Sequence, residues 1–102
     1  MSAFELTVAV PADARFSGTL TALAAQVARQ AGCDAGTAAE FGVEVGEALH
    51  GCIRASTGAG AATVGLVFRR QADEVEAVLT LTPDPGTADH RVRVARPAPA
   101  DV

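Results

Sequence analysis

The stretch "VEVGEALHGCIRAS", residues 43–56, decides how the chain is read. With the residues just before it, it places Phe41, Val45, Ala48, Leu49 and Cys52 at the three- and four-residue steps of a helix. At about 100° per residue these share one broad arc, while Glu40, Glu44, Glu47, Gly51 and Arg54 share another. Gly46 and Gly51 interrupt the run, and each interior glycine costs a helix roughly 1 kcal/mol relative to Ala. A helix with acids along its polar stripe and a glycine in line with them is a chemical site, a contact surface or a solvated face. Exposed like charges at i,i+4 cost only about 0.2–0.5 kcal/mol per pair, so solvation alone accommodates the acids.

Working outward, Asp34 is the expected N-cap of this helix, its carboxylate accepting from an early orphan N–H. Before it, Phe16, Leu20, Leu23 and Val27 form one stripe of a helix running to about Gln30, and Gly32 is its stop signal. Residues 4–10, "FELTVAV", alternate: Phe4, Leu6, Val8 and Val10 face one way, Glu5, Thr7 and Ala9 the other. That period predicts a half-buried strand. Beyond the turn residues "STGAGA", two further alternating segments follow, "TVGLVFRR" and "VEAVLTLT". The short link "QADE" between them suits an antiparallel hairpin. After "PDPGTAD", the segment "HRVRVAR" is a shorter strand with Val92 and Val94 inward. Two amphipathic helices must bury their stripes against one face of a mostly antiparallel sheet. The expected fold is therefore an α+β two-layer sandwich.

The 102 residues make one domain, taken as 1–96, with the Pro-rich "PAPADV" of 97–102 as an extended tail too polar to pack. A hydrophobic content of 49% suffices for a core. All eight basic residues are Arg, which with the Ala, Gly and Val bias points to a GC-rich, bacterial genome. A net charge of −4, with no Trp or Tyr to stack on bases, argues against nucleic acid as a partner. The N-terminus lacks the charged and apolar regions of a signal peptide, and no run approaches a membrane span. Cys33 and Cys52 are then expected to be reduced thiols in a cytoplasmic protein. Cys33, His50, Cys52 and His90 do not have metal-ligand spacing, because His50 and Cys52 point to different sides of a helix. Ser17 and Ser56 belong to no nucleophile motif. Arg69, Arg70, Arg91, Arg93 and Arg96 form a basic group in sequence, read as a solvated edge or a protein-binding patch.

The order of elements, the opening "VPADARFSGTLTALAAQVARQAGCD" and the helix "EFGVEVGEALHGCIRAS" resemble the ATP-binding domain of bacterial anti-sigma-factor serine kinases. That family shares its fold with histidine kinases, DNA gyrase and MutL-type ATPases, the GHKL group. The resemblance puts Glu47 and Ala48 on the family's Glu-Ala pair. It implies that Glu47 is the general base toward a serine hydroxyl in an active enzyme. Four residues on, the family holds the magnesium ion of bound ATP with an Asn, and here Gly51 stands in its place. "DPGTA" resembles the motif that binds adenine, with Asp84 as acceptor and Gly86 beside it, but Ala88 replaces the second glycine. As a plain sequence, Asp-Pro-Gly is equally an ordinary turn. The glycine-rich lid that cradles the phosphates has no counterpart.

The resemblance thus implies a shortened relative whose ATP and magnesium are not firmly held, working by contacts with a sigma factor or an anti-anti-sigma regulator. A homodimer is a further expectation, since loss of the lid leaves surface to be covered. Two alternatives stay open: an active ATP-dependent serine/threonine kinase, and a ligand-free structural or accessory module.

Overall fold

The computed structural model describes residues 3–55, 63–71, 73–82 and 91–98. Strand β1 spans Phe4–Pro11, and a 3-10 turn over Ala14–Phe16 leads into helix α1, Ser17–Gln30. Helix α2 spans Ala35–Ala55. Strands β2 (Thr63–Arg70), β3 (Glu74–Thr82) and β4 (Arg91–Pro97) complete the fold. The sheet runs in the order β1-β2-β3-β4, and each of its three pairings is antiparallel. Both helices lie on one face, giving the expected two-layer α+β sandwich.

Local chemistry sets the helix ends. Asp13 caps the 3-10 turn by accepting the Arg15 N–H at 3.0 Å, so Phe16 belongs to that turn and α1 proper begins one residue later than its stripe suggests. At the far end Gly32 takes a φ of 97°, a left-handed conformation that glycine adopts without strain. The Cys33 N–H then reaches Ala28 O and the Gly32 N–H reaches Arg29 O, both at 3.0 Å, which satisfies two carbonyls of the last turn. Asp34 caps α2 as expected, accepting the Thr37 N–H at 2.7 Å.

The register puts the even-numbered residues of β1 and β2 on the helix-bearing face. Phe4, Leu6, Val8 and Val10 lie opposite Arg70, Phe68, Leu66 and Val64. The core gathers Leu20, Val27, Phe41, Val45 and Leu49 from the helices and Val64, Leu66, Phe68, Leu79 and Val94 from the sheet. The Phe41 and Phe68 rings meet at 6.5 Å between centroids, tilted by 58°, a favourable edge-on arrangement that ties α2 to β2. Leu6 on β1 and Val92 on β4 face this layer but stay 40% and 37% exposed, because the helices cover the middle of the sheet better than its edges.

Parity also buries a charge. Arg70 shares its face with Val64, Leu66 and Phe68, and it is only 3% exposed. It donates to Ala31 O, at the end of α1, at 3.3 Å and to Gln71 O at 2.8 Å, a cation placed where helix carbonyls are left over. The chain beyond β3 corrects one expectation. Pro97 still belongs to β4, and Ala98 is buried with its N–H donated to Asp73 O at 2.9 Å. The start of the tail therefore packs, because the β2–β3 turn offers a carbonyl to it.

The two helices touch through glycine. A Cβ on Gly42 would lie 2.6 Å from the backbone oxygen of Thr21, and one on Gly46 would collide with the Thr21 hydroxyl. Gly46, puzzling as a helix breaker, is thus half of a Gly-x-x-x-Gly contact that lets α1 and α2 approach closely.

Candidate functional site

The polar stripe of α2 divides into two parts. Its first turns meet β4: Arg96, inward-facing opposite Val75, reaches up to Glu44 in an ion pair and lies 3.9 Å from Glu40. The basic partner that the acids call for is therefore supplied by the chain itself. Arg96 is held between strand and helix with its side chain 26% exposed, so this pair is better shielded than a free surface bridge.

The sequence-adjacent arginines do not form one basic patch, which corrects that reading. Neighbouring strand residues point to opposite faces. Arg70 goes into the core, Arg96 to α2, and Arg69 and Arg93 to the outer face of the sheet. There Arg69 binds Glu5 at 2.7 Å and lies 3.8 Å from Glu76, while Arg93 binds both Glu76 and Glu74. The result is a chain of alternating charge that crosses all four strands. The side chain of Arg91 lies outside the described residues.

The second part of the stripe is open. Glu47 is exposed, and among the described residues it makes no ion pair. It stands on a ridge between two shallow grooves. One, of about 400 Å³, is lined by Ala39, Glu40, Val43, Glu44 and Glu47. The other, of about 270 Å³, lies between the helices where Ser17, Gly18 and Thr21 face Val43, Gly46, Glu47 and His50. Val43 is shared by both and is 53% exposed, the most exposed of the large apolar side chains described. Ser17 is not poised as a nucleophile: its hydroxyl donates to Ala14 O at 2.9 Å.

One turn beyond Glu47, a Cβ built on Gly51 would meet none of the other described residues within 4 Å. Packing therefore does not demand glycine at this position, in contrast to Gly42 and Gly46. Glu47 and Gly51 are brought together on one side of α2, as their spacing predicts. Asp84 and Gly86, with Ala88 and His90, lie outside the described residues, as does Ser56.

The thiols take no part. Cys33 and Cys52 are both buried and unbridged. Burial pushes each thiol up, helped at Cys33 by the nearby Asp34 carboxylate and partly opposed by Arg70, so both stay protonated at neutral pH. Among the described residues no group of three His, Cys, Asp or Glu is placed to hold a metal ion. No helix among them is long and apolar enough to cross a membrane. No protein-family model matches the chain, and a search of curated proteins returns no match.

Sequence reasoning missed Thr21 and Val43. Thr21 sits between Leu20 and Leu23 on α1, and its role depends on which helix faces it. A signal for it was present in the four-residue spacing of Gly42 and Gly46, a known device for close helix approach. Val43 sits between the apolar and acidic arcs, and only the packing shows that α1 stops short of covering it.

Proposed function

We propose that the chain is a regulatory protein related to the anti-sigma-factor serine kinases, acting through protein contacts with little or no use of ATP. One observation carries this reading: Glu47 is exposed on α2, and Gly51 beside it lacks a side chain where a Cβ would meet no neighbour among the described residues. Magnesium requires oxygen ligands in near-octahedral order. A mid-helix glycine offers only a carbonyl already committed to the helix ladder. Since the fold does not require glycine there, the missing ligand is not a side effect of packing. Val43, apolar and exposed next to the Glu47 carboxylate, suits a partner surface that pairs an apolar side chain with an Arg or Lys. The resemblance makes a sigma factor or an anti-anti-sigma regulator the partner to test.

The test is calorimetric titration of ATP, with and without magnesium, into the wild type and Gly51→Asn, combined with recovery of regulator complexes from the native host. The proposal expects weak or absent, magnesium-independent binding in the wild type and a stable regulator complex that Val43→Arg disrupts. Magnesium-dependent binding gained by Gly51→Asn would support descent from an ATP site. Tight magnesium-dependent binding in the wild type, with serine phosphorylation of a partner that Glu47→Gln abolishes, would replace the proposal with an active kinase. Absence of both nucleotide and partner would leave a ligand-free module.

A further inference from the structure

The sheet's two outer strands, β1 and β4, are finished differently. β4, which like β1 ends in a proline, carries Arg93 and Arg96 and is tied by ion pairs to β3 and α2. Charges and proline are the usual devices that keep an edge strand from pairing with another chain. β1 has neither over most of its length. Its single charged residue, Glu5, lies near one end and is already bound to Arg69, and its proline is the last residue. It follows β2 residue for residue from Phe4 to Pro11 without a bulge. Among the described residues nothing pairs with its other edge, which presents a straight row of backbone donors and acceptors. Alongside runs a groove of about 300 Å³ lined by Phe4, Leu6, Leu23, Gln26, Val27 and Gln30, none of them charged. Interface centres are depleted of charge in the same way.

We propose that β1 pairs with β1 of a second copy of this chain, antiparallel about a twofold axis at Thr7, to make one continuous sheet. The strand's own sequence selects this register. With Thr7 opposite its copy, Phe4 meets Val10 and Leu6 meets Val8, all on the helix-bearing face. Glu5 meets Ala9, so no like charges oppose one another. A parallel pairing would bring Glu5 beside its own copy, an axis moved to Leu6 would shorten the overlap, and one moved to Val8 would bring Pro11, which has no N–H to donate, into the ladder opposite Glu5. The half-exposed Leu6 gains a cross-strand apolar neighbour, and the uncharged groove lies along the junction in both copies. The contact is isologous and closes after two subunits. It is independent of the regulatory reading above, which concerns the opposite flank of the helix layer.

The twofold supplies the test, because Thr7 meets itself. Thr7 is exposed on the outer face of the sheet, so Thr7→Lys and Thr7→Glu do not disturb the core. Sedimentation equilibrium of the full chain, followed from micromolar towards millimolar concentration, is expected to show a dimer in the wild type. Each charged variant should raise the dissociation constant by up to about fivefold, since like charges directly opposite destabilise strand pairing by as much as ~1 kcal/mol. An equimolar mixture of the two variants should regain the wild-type affinity. A wild type that stays monomeric throughout would overturn the proposal, as would charged variants that dimerise like the wild type. Failure of the mixture to recover would exclude the axis at Thr7.

Discussion

Helix α2 carries glycine on two sides, under different constraints. Toward α1, Gly42 and Gly46 stand where any Cβ would strike Thr21, so the closeness of the two helices depends on both. On the other side, a Cβ on Gly51 would meet none of the other described residues, and their packing gives it no structural task. Composition treats the three alike, and a propensity scale assigns each the same penalty. Their surroundings separate a glycine needed for packing from one that leaves a surface position without a side chain, and the function is sought at the second kind.

Substitutions probe this contrast, and the largest effect is expected at Gly42. In Gly42→Ala the added methyl meets a backbone oxygen that cannot rotate away, so the helices must separate. Urea denaturation should show a loss of roughly 1–3 kcal/mol, the usual cost of overpacking, even though Ala is the better helix former. Gly46→Ala should cost less, since its obstacle is the Thr21 side chain, which can turn. Adding Thr21→Ala to Gly46→Ala should recover most of the loss, and a double-mutant cycle measures that coupling.

The Glu44–Arg96 pair lies at the border between the packed and open sides. A cycle of Glu44→Gln and Arg96→Ala should give a coupling of about 0.2–1 kcal/mol that shrinks with added salt. The smallest effect is expected at the head of the helix. The Thr37 N–H and hydroxyl hold the Asp34 carboxyl below the usual carboxylate range. A carboxylate depressed in the folded state contributes stability above its unfolded pKa and loses it as pH falls through the folded one. Asp34→Asn keeps a capping oxygen without the titration. Its unfolding midpoint should therefore match the wild type near neutrality and fall less steeply in acid.

Much of this architecture was legible in the residues. The strand and helix periods located all four strands and both α-helices, though not the 3-10 turn at Ala14–Phe16, and Asp34 and Gly32 marked helix ends because capping is a local matter. The fates of the arginines were not legible, since "FRR" and "RVRVAR" place them side by side in sequence while the pleat sends them to opposite faces. The Arg96–Glu44 pair is a contact between β4 and α2 that no local pattern encodes. The exposure of Leu6 was hidden as well: alternation marks the inward face of β1, but only the strand order shows that β1 is an edge. At the site, the spacing of Glu47 and Gly51 correctly placed both on one side of α2. That Gly51 sits in open space required knowing where α1 lies.

The central claim is that Gly51 is free of any packing requirement. It is tested most directly by the unfolding free energy of Gly51→Ala, measured beside Gly42→Ala under the same conditions. Gly51→Ala is expected to be as stable as the wild type or more so, by up to roughly 1 kcal/mol, as for any Ala that replaces an unconstrained helical glycine. A loss of stability like that of Gly42→Ala would contradict it. Gly51 would then be a packing glycine, and its lack of a side chain would say nothing about a lost ligand.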